Sequence, residues 1–163
     1  QGFADLAALI IERFACDVLL IGSKEDGLVA RDVLLALEET QPPRILERVF
    51  DVCGKTTLPG LYSLMKRSRF LVSNDSAPVH FGCAARIPVV AVFGPTVPAL
   101  GYAPTAPRSA VAQIELPCRP CGTHGGTACP LSHFHCMRRL TPESVMQKIV
   151  EVNASAGSTV RSP

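Results

Sequence analysis

Arg69-Phe-Leu-Val-Ser-Asn-Asp-Ser-Ala-Pro-Val-His-Phe-Gly-Cys-Ala-Ala-Arg-Ile-Pro-Val-Val-Ala-Val-Phe-Gly-Pro-Thr96 is the stretch that decides the fold. It predicts a strand over Phe70–Ser73, a helix over Pro78–Arg86 and a second strand over Val89–Phe93 that ends in Gly94-Pro95-Thr96. Both strands are continuous apolar runs rather than alternating ones, the pattern of a parallel sheet covered on both faces. The unit is therefore βαβ. Ser76 stands where an N-cap belongs and Pro78 suits the first helical turn, where its missing N–H costs nothing. A helix that starts on small residues turns free N–H groups and a partial positive charge outward, which suits an anion. Asp75 and His80 flank that start at the carboxyl end of the sheet, the usual ligand position of open α/β folds.

Working outward, Gln1–Phe14 carries a helical stripe of Phe3, Leu6, Ile10 and Phe14. A strand follows over Cys16–Ile21, closed by Gly22 and the polar loop Lys24-Glu25-Asp26. The next helix, over Gly27–Glu39, has a broad apolar face that includes Leu28, Val29, Val33, Leu35 and Leu37, and Pro42-Pro43 ends it. Arg48–Cys53 reads as a short edge strand. Gly54-Lys55-Thr56-Thr57-Leu58-Pro59 looks like a phosphate loop but lacks the earlier Gly of that spacing; its plainer reading is a polar turn in which Thr57 caps a helix over Pro59–Arg67. Beyond Thr96, Val97–Arg108 is Pro-rich and broken, Ala110–Leu116 reads as the last strand, and Pro117–Arg139 as a long loop. Thr141-Pro142 opens a final helix with Val145, Ile149 and Val152 on its buried face, and 153–163 has the composition of a disordered tail. Strands alternate with helices, so the expected fold is a Rossmann-like, doubly wound, mostly parallel sheet in one domain over 1–152.

Composition narrows the function. The chain has 163 residues, 47% hydrophobic and 18% charged, enough for a core, and its formal charge of +2 gives no argument for nucleic acid. No apolar stretch reaches the roughly 18 residues of a membrane span, and no secretory pattern opens the chain, so a cytoplasmic location is expected. A nicotinamide enzyme would show Gly-x-Gly-x-x-Gly at its first helix, and none is present. Four of the seven cysteines, Cys118, Cys121, Cys129 and Cys136, lie in one loop with His124, His133 and His135. Their density raises a structural zinc site. The six residues between Cys129 and Cys136 depart from the usual tight pairs, and free or buried thiols are the other reading. Cys16, Cys53 and Cys83 sit in apolar context and read as packing.

The motif Ser73-Asn-Asp-Ser-Ala-Pro-Val-His80, its small-residue helix and Pro88-Val-Val-Ala-Val-Phe-Gly-Pro-Thr96 resemble the signature of the ADP-heptose lipopolysaccharide heptosyltransferases, glycosyltransferase family nine. Gly54-Lys-Thr-Thr-Leu58, Cys118-Arg-Pro-Cys121 and Cys129-Pro-Leu-Ser-His-Phe-His-Cys136-Met extend the resemblance over nearly the whole chain, toward the heptosyltransferase II branch. It implies the C-terminal, donor-binding half of a two-domain GT-B enzyme that moves heptose from ADP-heptose to the lipopolysaccharide inner core by inversion, with no metal or other cofactor required. The catalytic base would belong to the N-terminal domain, and the family's phosphate-binding Lys and first strand to a segment before Gln1, so the chain alone is expected to be inactive and poorly stable. The lipid acceptor implies peripheral association with the inner membrane.

Carried over by position, the amides of Ser76 and Ala77 hold the diphosphate with His80 nearby, and Asp75 meets sugar hydroxyls. Thr96 shapes the sugar end, one of Glu25 and Asp26 meets the ribose, and Thr56 and Leu58 border the base. The family usually has Gly where this chain has Ala77. Two other readings fit the same residues: a different nucleotide-sugar enzyme, a UDP-sugar transferase or an epimerase, and a zinc-stabilised interaction domain without catalysis.

Overall fold

The computed structural model describes residues 1–126 and 128–154. In chain order the elements are α1 (Gly2–Phe14), β1 (Val18–Leu20), α2 (Gly27–Thr40), α3 (Pro43–Leu46), β2 (Val49–Asp51), α4 (Leu58–Arg67), β3 (Leu71–Asn74), α5 (Ala77–Ala84), β4 (Val89–Val92), a 3-10 turn at Pro98–Leu100, β5 (Ser109–Ala112), α6 (His135–Arg138) and α7 (Pro142–Ala154). The α/β alternation and the parallel pairing are as expected. The described strands form two sheets, β1-β2 and β3-β4-β5, and the chain divides into two compact units, Gln1–Leu61 and Tyr62–Pro163.

In the first unit β1 and β2 run parallel with Val18 opposite Val49 and Leu20 opposite Asp51. The core is Ala4, Ala8, Ile11, Val33, Leu37, Ile45 and Val49. α2 corrects its sequence reading. Its buried residues are Ala30, Val33 and Leu37, whereas Leu28 is 74% exposed and Val29 and Leu35 also face out. A helix with 3.6 residues per turn presents one stripe to a core, and these three leucine and valine side chains fall outside it. β1 is shorter than Cys16–Ile21 and only half covered, with Leu19 exposed. Cys53 is buried as expected, and Cys16 is half-buried. Thr57 does cap α4: its hydroxyl accepts the Gly60 N–H at 3.2 Å.

In the second unit β4 is the centre of a parallel sheet, with Leu71 opposite Val89 on one side and Val89 opposite Ser109 on the other. All four β4 residues are buried, as the apolar run requires. β3 is covered only at Leu71; Asn74 is exposed. α5 packs on β3 and β4, and α7 on β4 and β5. A Cβ at Gly82 would sit 2.8 Å from Leu71 Cδ2 and 2.9 Å from Val89 Cγ2, so the missing side chain is what lets α5 lie so close to the sheet.

Val145, Ile149 and Val152 form the buried face of α7, and the Thr141 hydroxyl accepts the Ser144 N–H at 3.3 Å. α7 runs through Ala154, two residues into the segment read as tail; 155–163 lie outside the described residues. β5 stops at Ala112 rather than Leu116, and the loop read as irregular over 117–139 contains α6. No helix among the described residues is long and apolar enough to cross a membrane.

Candidate functional site

The crossover from β3 to α5 carries the candidate site of the second unit. Asp75 continues the sheet for one residue, its N–H bonded to Val92 O at 3.0 Å, and α5 begins at Ala77. Ser76 holds the N-cap position in extended backbone (φ −160°, ψ 175°), but its hydroxyl does not cap. It turns back to donate to Asn74 O at 3.1 Å and lies 3.3 Å from the Ser73 hydroxyl. This corrects the capping expected of Ser76, and the consequence is chemical. With no side chain closing the helix start, the Ser76 and Ala77 N–H groups have no hydrogen-bond partner among the described residues. Ala77 is absent from the non-glycine residues with positive φ, so the backbone there is within reach of any side chain and Gly is not needed for conformation. His80 is exposed on the same first turn.

Asp75 is held by a residue twenty-one positions away. Thr96 is only 4% exposed, and its hydroxyl donates to Asp75 Oδ2 at 2.7 Å. One carboxylate oxygen is thereby fixed, and Oδ1 has no partner among the described residues. A pocket of about 230 Å³ opens at this point, lined by Asn74, Asp75, Val92, Gly94, Pro95, Thr96, His124 and Met137. Two of the predicted site residues, Asp75 and Thr96, line it; Ser76, Ala77 and His80 stand on the helix start beside it.

His124 and Met137 were not foreseen as site residues. Met137 backs the glycine of the Gly-Pro-Thr turn: a Cβ on Gly94 would lie 2.5 Å from its Sδ. His124 Nδ1 is 3.2 Å from the Tyr102 hydroxyl. Cys121 N–H donates to Pro95 O at 2.8 Å, so the Cys-rich segment is the outer wall of the Gly-Pro-Thr turn.

That segment is tied down by Arg119, which sequence reasoning passed over. Its Nη2 donates to Thr96 O at 2.6 Å, to Phe93 O at 3.2 Å and to Gln113 Oε1 at 3.1 Å, while Nη1 donates to Ile114 O. Its Nε is buried with no partner, and no carboxylate pairs with the guanidinium among the described residues.

The cysteines come near one another around an imidazole. His133 Nε2 lies 3.9 Å from Cys118 Sγ and its Nδ1 lies 3.9 Å from Cys129 Sγ, so the ring stands between two thiols that a shared metal would have to bridge. His135 stacks on His133 with ring centroids 4.2 Å apart. Among the described residues no group of three or more His, Cys, Asp or Glu side chains is arranged to hold a metal ion. Backbone N–H groups, that of Phe134 foremost, hold the Cys129 thiol below its ordinary range; burial, then the neighbouring Cys118, Cys129 and Cys136, push Cys121 up.

The remaining predicted residues lie in the first unit. Asp26 Oδ2 accepts the Ser23 N–H at 2.7 Å and the Ser23 hydroxyl at 2.8 Å, and these bonds, the hydroxyl's first, hold its carboxyl below the ordinary value. Glu25 is lowered mainly by a backbone N–H and is fully exposed. Gly54, at φ +66°, donates its N–H to Gly22 O at 3.0 Å, and a Cβ there would stand 2.8 Å from Lys24 Cα. Glycine is thus required for the Gly54–Thr57 turn to lie against the Glu25–Asp26 loop. Thr56 is half-buried and Leu58 is 66% exposed. Asp51 takes the Cys53 N–H at 2.8 Å, and Lys55 Nζ binds Asp51 Oδ2 at 3.3 Å and Asp51 O at 2.8 Å, so the lysine that suggested a phosphate loop is occupied within its own turn.

Residues 1–131 match the family model described as glycosyltransferase family 9 (heptosyltransferase). The chain is similar to lipooligosaccharide heptosyltransferase 2 of Campylobacter jejuni, 32% identical over 110 residues that cover 65% of this chain and 33% of the relative. It is also similar to lipooligosaccharide heptosyltransferase 2 of Haemophilus ducreyi, 35% identical over 112 residues, 67% of this chain and 30% of the relative. Among solved structures, Escherichia coli ADP-heptose lipopolysaccharide heptosyltransferase II superposes with a TM-score of 0.78 at 21% identity, covering 96% of this chain and 42% of that one, and so supports the fold. The chain spans roughly a third of the length of the curated relatives it matches.

Proposed function

Because the chain belongs to glycosyltransferase family 9, we propose that it is the nucleotide-sugar-binding part of a heptosyltransferase, taking ADP-heptose as donor for transfer to the lipopolysaccharide core. The observation that carries this reading is the pair of unpartnered N–H groups at Ser76 and Ala77 beside an Asp75 carboxylate with one oxygen fixed and one left for a ligand. Negative charge builds on the diphosphate as it leaves the anomeric carbon. Amides fixed at a helix start stabilise that charge without having to reorganise, the role a divalent cation plays in other transferases. Asp75 Oδ1 accepts from sugar hydroxyls, Thr96 sets the direction of the carboxylate, and His80 stands at the diphosphate. The acceptor hydroxyl attacks from the face opposite the leaving ADP and gives up its proton to a base, which inverts the anomeric centre. For the first unit we assign Glu25 or Asp26 to ribose hydroxyls and Thr56 and Leu58 to the base; Ser23 engages both carboxylates, so either one is left to serve.

Calorimetric titration with ADP and, in parallel, UDP tests the reading, repeated on Asp75→Ala and His80→Ala. Saturable ADP binding that weakens in both variants, with UDP ignored, is expected. Preference for UDP would move the chain to another nucleotide-sugar enzyme, and a folded chain that binds neither would overturn the donor role.

A further inference from the structure

We propose that Arg119 is the positioning residue of this site: through the carbonyl and the hydroxyl of Thr96 it sets the carboxylate of Asp75. The inference deepens the donor-binding reading and rests on it. The line of contacts is continuous. Arg119 Nη2 holds Phe93 O and Thr96 O, the two ends of the Phe93–Thr96 turn, so the turn cannot open without breaking one of these bonds. The same guanidinium is fixed from behind by Ile114 O and Gln113 Oε1. Thr96, held by its carbonyl and buried, presents its hydroxyl to Asp75 Oδ2 at 2.7 Å.

Only a planar fork with several donors reaches carbonyls on two sides at once; a lysine ammonium in the same place keeps the charge and loses the fork. Arg119 is not among the residues lining the pocket and so acts through Thr96 rather than on a ligand.

The test has two arms on the full chain. Amide hydrogen exchange needs no ligand. Arg119→Lys is expected to speed exchange at Asp75, whose N–H is bonded to Val92 O, by about tenfold, the effect of losing one charge-assisted hydrogen bond, and to leave Ile149 in α7 unchanged. Unchanged exchange at Asp75 overturns the proposal whether or not ADP binds. The second arm titrates ADP into Arg119→Lys, Thr96→Val and the double variant. Each single change is expected to weaken ADP about tenfold, and the double variant no more than either, because both cut one line. Additive losses would mean that the residues act independently and would overturn the proposal. If the unaltered chain binds no ADP, the donor reading fails, and exchange at Asp75 still decides whether Arg119 positions it. Arg119→Met removes the charge as well; should it not fold, Arg119→Lys carries both arms.

Discussion

Thr96→Val is the most informative single change in this chain. Valine keeps the branched shape and removes the hydroxyl that donates to Asp75 Oδ2 at 2.7 Å from a buried position. A hydrogen bond to an ionised group contributes about 1.5–3 kcal/mol. Asp75 is half-buried, so water can replace the lost donor on its open side, which places the cost near the low end, about 1.5 kcal/mol. For a unit of this size that corresponds to a fall in melting temperature of roughly 6–10 °C. The substitution also frees the carboxylate to rotate. ADP affinity should therefore drop about tenfold, comparable to the stability loss, whereas pyrophosphate, which needs the amides and not Asp75, should bind within about twofold of the unaltered chain. Circular dichroism melts and calorimetry with both ligands measure these quantities. A variant that melts within a degree of the original and binds ADP as before would refute the claim that Thr96 orients Asp75.

Alkylation with iodoacetamide near pH 8, read by mass spectrometry, should modify Cys129 well before Cys53, because backbone N–H groups favour the Cys129 thiolate while burial, then the Asp51 carboxylate, push Cys53 up to about 11; equal rates would contradict this. Ile149→Ala, at a fully buried position on α7, should cost about 2–5 kcal/mol in a denaturant melt of the second unit, and a loss below 1 kcal/mol would mean that α7 is not part of its core. Asp26 is held below its ordinary value, so its contribution to stability is present above about pH 4 and is lost as the pH falls through the folded value. Ser23→Ala removes the first cause of the shift and should move the Asp26 midpoint upward in a carboxyl NMR titration, and an unmoved midpoint would show that the hydroxyl is not responsible.

The βαβ centre was legible because its two strands are apolar runs, its helix starts on small residues, and both patterns are local. Val145, Ile149 and Val152 were legible for the same reason: one stripe at helical spacing, opened by Thr141 and Pro142. α2 was misread because Leu28, Val29 and Leu35 are apolar without sharing the buried stripe, and residue type alone does not say which side of a helix meets the core. The Ser76 cap failed because a serine hydroxyl can bond backward to the chain it has just left, and the choice is settled by the geometry of Ser73 and Asn74 rather than by residue type.

Arg119 was invisible for another reason. Three of its four partners are backbone carbonyls, those of Phe93, Thr96 and Ile114, which every residue has, so side-chain pattern announces only Gln113. The one signal available was an arginine between two cysteines; the nearest carboxylate in sequence, Glu115, accepts from Gln113 Nε2 at 2.9 Å and does not pair with the guanidinium. The cysteine count and spacing raised a structural zinc site beside free or buried thiols, and spacing does not reveal that His133 stands between Cys118 and Cys129.

The central claim is that the open amides at the start of α5 receive a diphosphate. It is tested most directly by following the amide resonances of Ser76 and Ala77 in a nitrogen-15 spectrum as ADP, pyrophosphate or adenosine is added. The account predicts that both resonances move downfield and saturate with ADP and with pyrophosphate, and stay in place with adenosine. Movement confined to other residues while Ser76 and Ala77 remain unchanged would contradict it.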